Sequence, residues 1–130
     1  GAVTWGDGTS GTAGAVSAAN SLVNTSAHDL DFCDSILSVL PDGNASIHFP
    51  EWSNGSSDGA FSLIVGDGST VGPVSSANSV LGTTVGSSMV SDYDAVNTQL
   101  IVGRPWDNKV TILRLYSGPM HLLYLPMVIK

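Results

Sequence analysis

The chain has 130 residues, one ordinary domain's worth, which excludes a large multidomain enzyme and leaves room for a single modest core. Charged residues make up only 12%, and eleven acidic against four basic groups give a net charge of −7, a potential that repels phosphate backbones and excludes nucleic-acid binding. All four basic residues, Arg104, Lys109, Arg114 and Lys130, follow ten of the eleven acidic ones, an asymmetry that suits head-to-tail association of copies as well as a plain difference between the two ends of one fold.

The first predicted element is a strand over Ala2 to Trp5, followed by Asp7-Gly8, a hairpin signal because a primed turn takes the positive φ that glycine tolerates. Ala15 to Leu22 is the only segment with room for a helical turn, and its Ser, Asn and β-branched content excludes a long helix. Strands are predicted over Ser35 to Leu40 and Ser46 to Phe49, joined by a second hairpin signal at Asp42-Gly43, and then over Ala60 to Val65, Thr98 to Val102 and Lys109 to Tyr116. The tail from Met120 to Ile129 is apolar but short and holds Pro126, so a strand fits it better than a membrane anchor, which needs roughly 18 apolar residues. No membrane insertion is expected. The chain opens on Gly1 rather than on Met and a basic segment, as a mature or excised piece does. These elements predict an all-β fold.

An internal repeat organises them. Gly14-Ala15-Val16-Ser17-Ala18-Ala19-Asn20-Ser21-Leu22-Val23 recurs as Gly72-Pro73-Val74-Ser75-Ser76-Ala77-Asn78-Ser79-Val80-Leu81, at an offset of 58 residues. Upstream, Gly1-Ala2-Val3-Thr4-Trp5 answers to Gly59-Ala60-Phe61-Ser62-Leu63. Downstream, Ile47-His48-Phe49-Pro50-Glu51-Trp52-Ser53-Asn54 answers to Ile101-Val102-Gly103-Arg104-Pro105-Trp106-Asp107-Asn108, with one residue fewer between Pro and Trp in the second copy. Residues 1–58 therefore form a first unit, 59–109 a second, and 110–130 a partial third unit with the C-terminal tail. Several strands per unit predict β-propeller-type blades, about two repeats of four-stranded antiparallel sheets. Solenoid repeats of parallel strands are shorter, at roughly 20 to 30 residues. Two units cannot close a ring of about four to eight blades, so the ring closes by oligomerisation or the chain is part of a longer array. In an oligomer, Ala2 to Trp5 of one copy is placed to complete the sheet of another.

The residues Gly1-Ala2-Val3-Thr4-Trp5-Gly6, Thr9-Ser10-Gly11, the Gly14 to Val23 block, Asp42-Gly43-Asn44 and Pro50-Glu51-Trp52-Ser53-Asn54-Gly55 together resemble a repeat found in long arrays of large bacterial secreted or surface proteins of the filamentous-haemagglutinin and adhesin kind. Leu100-Ile101-Val102-Gly103-Arg104-Pro105, followed by the strand from Val110 to Leu115, is similar to the FG-GAP blade of integrin-α-type β-propellers. The resemblance implies a bacterial extracellular or cell-surface module for adhesion or recognition. Calcium-binding FG-GAP blades carry an acidic loop before this strand, but here Asp92 and Asp94 are out of step with the ligand positions and no glycine supplies the sharp turn, so no calcium site is carried over.

Chemistry-bearing clusters are sparse. His28, His48 and His121 share no motif, and Glu51 is the only glutamate, so no carboxylate pair of the kind that glycoside hydrolysis needs stands out. No catalytic residue, metal or cofactor is expected. Cys33 is alone and reads as a small buried apolar residue, and Asp29, Asp31 and Asp34 around it read as a solvated loop or an incidental cation site. Trp52 with Asn54, and Trp106 with Asp107 and Asn108, recur once per unit beside a proline. An aromatic face next to amide and carboxylate groups suits a sugar, although a repeated tryptophan is more often the plug between neighbouring blades. The expected partners are a glycan or a host or cell-surface ligand, together with further copies or neighbouring repeats. The functions left open are an adhesion or recognition module, an oligomeric carbohydrate-binding lectin, and a purely structural spacer.

Overall fold

Short runs of Val, Ile, Leu and Thr between Gly, Asn and Pro turns pair into ten strands in the computed structural model, which describes residues 1–6, 8–24, 35–53, 58–64, 70–84 and 88–114. They are β1 (Ala2–Thr4), β2 (Ser21–Val23), β3 (Ile36–Val39), β4 (Ala45–Ser53), β5 (Asp58–Ile64), β6 (Gly72–Pro73), β7 (Ser79–Leu81), β8 (Val90–Asp94), β9 (Gln99–Arg104) and β10 (Lys109–Arg114). The fold is all-β. Among the described residues the only helical element is a 3-10 turn over Pro105–Asp107. Asp7, His28, Asp29, Asp31, Cys33, Asp34, Asn54, His121 and the apolar tail of residues 120–129 lie outside the described residues, as do Val65, Leu115 and Tyr116 at the ends of two predicted strands.

Three open sheets form. β1, β2 and β6 make the first, with β1 and β2 antiparallel and β6 parallel to β2. The second runs β3-β4-β5-β7 and is antiparallel throughout. The third is the antiparallel meander of β8, β9 and β10. β4 and β5 are partners, so the second sheet takes strands from both sides of the repeat boundary. Each repeat ends one sheet and begins the next.

The pairing repeats along with the sequence. β1 faces β2 with Ala2 opposite Val23, Val3 opposite Leu22 and Thr4 opposite Ser21. β5 faces β7 with Ala60 opposite Leu81, Phe61 opposite Val80 and Ser62 opposite Ser79, every residue displaced by the same 58 positions.

The repeated block produces this register through one asparagine. Asn20 Oδ1 accepts from Ser17 N at 2.9 Å and from Ser21 Oγ at 2.9 Å, while its amide donates to Ala15 O at 3.0 Å. Asn78 repeats the set: Ser75 N at 2.9 Å, Ser79 Oγ at 3.0 Å and Pro73 O at 2.8 Å. These bonds close a turn in which the asparagine N–H also bonds the carbonyl of Ser17 or Ser75 at 3.1 Å, and the next strand starts one residue after the asparagine. The helical turn considered for Ala15 to Leu22 therefore does not form, because the asparagine side chain takes the backbone groups that a helix would need.

One predicted turn differs in detail. At residues 40–44 the hairpin is present, but its loop has three residues. Gly43 N bonds Leu40 O at 3.0 Å, Leu40 N bonds Asn44 O at 2.8 Å, and only Gly43 takes a positive φ, of 86°. This is an ordinary turn followed by a left-handed glycine rather than a primed two-residue turn. β1 and β2 are partners joined by the long connection of residues 5–20, and the Asp7 of the other hairpin signal lies outside the described residues. β4 also runs further than predicted, through Pro50 to Ser53. Proline is tolerated there because the pairing with β3 reaches only as far as His48, opposite Ile36, and the pairing with β5 is irregular between Phe49 and Ser53.

Two cores lie on either side of the second sheet. Leu22, Ile47, Phe49, Trp52 and Val74 form one, with Val3, Trp5 and Leu81 packed against it. Leu40, Val80, Met89, Leu100, Val102 and Leu113 form the other, with Tyr93 against it. Val80 and Leu81 are neighbours on β7 and enter different cores, as the two-residue period of a strand requires. The sheets are thus stacked face to face in chain order.

If the asparagine turn holds this arrangement, Asn78→Ala lowers unfolding free energy by about 2 kcal/mol, the net worth of two to three hydrogen bonds. Urea denaturation reads this, and a loss under about 0.5 kcal/mol would contradict it.

Candidate functional site

The hairpin of β9 and β10 carries three of the four basic residues and three of the candidate ligand residues. Arg104 ends β9 and faces Lys109 across the ladder. Between them, Pro105 starts the 3-10 turn, and Asn108 closes it in the left-handed region, at φ 52°, with its N–H bonded to Pro105 O at 3.1 Å.

Arg104 and Asp107 clamp this turn to the second sheet. The guanidinium donates from Nη1 to Leu81 O at 2.8 Å and from Nη2 to Thr111 Oγ1 at 2.9 Å. Asp107 accepts from Thr83 N at 3.0 Å and Thr84 Oγ1 at 2.8 Å, and its carboxylate stands 3.6 Å from Arg104 Nη1. Both side chains are almost wholly covered, with Asp107 at 0% and Arg104 at 11% exposure.

The two tryptophans part company. Trp52 is 3% exposed and belongs to the first core, so no face of its ring is open to a ligand. Trp106 is 66% exposed. The cause is the extra residue, Glu51, between proline and tryptophan in the first unit. There the chain stays extended through Trp52, whereas Pro105-Trp106-Asp107 coils at once, and a shift of one residue along a strand moves a side chain to the opposite face. Of the residues singled out in the sequence, Trp106 and Asn108 are exposed in one turn, Asp107 is turned inward as a clamp, Trp52 is in the core, and Asn54 lies outside the described residues.

Beside the turn lies a hollow of about 210 Å³, walled by Val90, Pro105, Asn108, Lys109 and Val110 over a floor of Gly103 and Arg104. A methyl group at Gly103 would come within 3.0 Å of Val90 Cγ2, so glycine keeps β8 close and the floor open. The hollow is mainly apolar, and Asn108 and Lys109 are among the polar residues that line it. Lys109 and Val90 were not singled out in the sequence. Their only signal is the opposition of Lys109 to Arg104 in the ladder, which becomes visible once β9 and β10 are paired.

Asp94 serves its own loop. Its Oδ1 accepts from Val96 N at 3.0 Å and Asn97 N at 3.1 Å, and its Oδ2 accepts from Asn97 Nδ2 at 2.7 Å and Gln99 Nε2 at 3.0 Å. Among the described residues, no group of three His, Cys, Asp or Glu side chains is placed to hold a metal ion.

Residues 1–30 and 39–91 match a family described as "Repeat of unknown function (DUF5650)", more than half of the chain. The chain belongs to this family. Each matched segment contains one copy of the asparagine turn, so the DUF5650 repeat and the structural repeat share their most regular feature. No curated protein and no solved structure matched the chain.

The ionisable groups set an acid limit on the fold. Burial holds the His48 imidazole below its ordinary value of 6.5, so the unfolded chain takes up a proton first and stability falls as pH drops below 6.5. At Asp107, burial opposes the charge, but the hydrogen bonds from Thr84 and Thr83 and the charge of Arg104 outweigh it and keep the carboxyl below its ordinary 3.8. Its contribution is present above 3.8 and is lost as pH falls through the folded-state value. Urea midpoints measured against pH should therefore fall in two steps, the upper removed by His48→Gln and the lower made shallower by Asp107→Asn. An unchanged upper step in His48→Gln would show that His48 is not its source.

Proposed function

We propose that this DUF5650 chain is a non-catalytic recognition module of a secreted or surface-displayed bacterial protein, that its sheets are propeller-type blades, and that it meets a glycan through the Trp106 turn. The observation that carries the recognition role is the 66% exposure of Trp106 on a turn held rigid by the Arg104–Asp107 clamp. A large aromatic ring left in solvent on a fixed support offers a stacking face to the C–H side of a sugar at small ordering cost. Asn108 and Lys109, at the hollow alongside, supply an amide and a cation for hydroxyl or carboxylate groups of the same ligand.

The blade reading is supported by the antiparallel order β3-β4-β5-β7 and by the covering of both faces of that sheet. The adhesin setting is supported by the resemblance of the first repeat to bacterial surface arrays. The edge of β3, which has no strand beside it among the described residues, supports association with further repeats or copies, because Ile36, Leu37 and Val39 there are 56%, 61% and 77% exposed.

A glycan array carrying neutral and acidic sugars tests the ligand. The chain should bind, and Trp106→Ala should weaken binding at least about tenfold, equivalent to 1.4 kcal/mol, with the urea midpoint unchanged because the ring is in solvent. Trp52→Ala instead costs about 3 to 5 kcal/mol of stability through the cavity it leaves. A folded chain that binds no sugar, or whose binding survives Trp106→Ala, contradicts the glycan role and leaves a structural spacer.

A further inference from the structure

The two ends of the stacked sheets are not equivalent. β5 has β7 on one edge and β4 on the other. β1, its counterpart 58 residues earlier, has β2 on one edge and, among the described residues, no strand on the other. Asn24 N bonds Gly1 O at 3.1 Å, so these two residues form a hydrogen-bonded pair. Antiparallel alternation then makes Val3 and Leu22 the next such pair and turns the N–H and C=O of Ala2 and Thr4 toward the open edge. The corresponding residues in the complete sheet, Ala60 and Ser62, lie opposite Phe49 and Ile47 of β4.

We infer that the open edge of β1 is a docking site for a β3–β4-type hairpin of another DUF5650 repeat. The register is set by the sheet already formed: the residue equivalent to Ile47 lies opposite Thr4 and the one equivalent to Phe49 lies opposite Ala2. The occupant is a two-stranded hairpin rather than a single strand, because β4 brings β3 with it through the Leu40–Asn44 loop. The fit is specific, since a slip of one residue would turn every side chain of the incoming strand to the wrong face. In the third sheet the corresponding place next to β9 is held by β10. The inference rests on the sharing of sheets between repeats and is independent of the glycan role.

The test uses the full chain with a second copy of residues 35–58 placed ahead of Gly1, so that the added Asp58 joins Gly1 as Asp58 joins Gly59 in the chain itself. Amide hydrogen exchange is read by NMR with and without the addition. Protection of Ala2 and Thr4 should rise at least about tenfold, toward the level of Ala60 and Ser62. The Ile47→Pro change in the added copy, which removes the N–H facing Thr4, should return both amides to their original rates. Unchanged exchange at Ala2 and Thr4 with Ala60 and Ser62 protected overturns the docking site. Protection of Ala2 and Thr4 already present in the unmodified chain overturns it too, since another strand would then hold the edge. Fast exchange at Ala60 and Ser62 would instead overturn the sharing of sheets, and the inference with it.

Discussion

The stacking of the sheets depends on the asparagine within each repeated block. Asn78 ties Pro73 O, Ser75 N and Ser79 Oγ into one turn and so aims the three residues that follow along the edge of β5. Those three residues then serve two cores at once, with Val80 entering one and Leu81 the other. A strand this short has little pairing energy of its own, so a preformed turn that removes part of its conformational freedom decides whether it forms. The same geometry at Asn20 starts β2, which in turn receives β6 from the next repeat, with Val74 N bonded to Val23 O at 3.0 Å.

The arrangement separates roles that the sequence presents as copies. Trp52 and Trp106 occupy matching places in their units, yet one seals a core and the other stands in solvent. The second unit frees its tryptophan by coiling at Pro105 and then fixes the coil with a buried carboxylate and guanidinium. Such a pair, with each charge met by several donors or acceptors, holds a turn in one geometry more than it adds stability. A repeat that stacks through its first half and its strands can thus vary its turn without disturbing its neighbours.

Much of the fold was legible in the sequence. Strands Ile36–Val39, Gln99–Arg104 and Lys109–Arg114 fall within a residue or two of their predicted bounds, because their β-branched runs are long enough to show. β2, β6, β7 and β8 were not anticipated. The first three are two or three residues long, too short for a period of two to be seen, and they exist through the turn before them and the partner beside them, while β8 carries Asp92 and Asp94, residues depleted in strands. The sharing of a sheet between units was equally hidden, since a repeat in sequence carries no mark of where one sheet ends. At the site, Trp106 and Asn108 were singled out in the sequence, but which of the two tryptophans would stand in solvent was not legible there. Nor was the inward turn of Asp107, because its partners Thr83 and Thr84 lie in another sheet's loop, far from it in the sequence.

The account stands or falls on the claim that both repeats pair in one register and that the second sheet joins strands of both. Cross-strand Hα–Hα contacts in an NMR spectrum of the whole chain measure this directly, since they appear between facing residues that exchange no hydrogen bonds. The expected contacts are Ala2 with Val23, Thr4 with Ser21, Ala60 with Leu81, Ser62 with Ser79 and, joining the units, His48 with Phe61. Contacts displaced by a residue in one repeat, or none between His48 and Phe61, would contradict it.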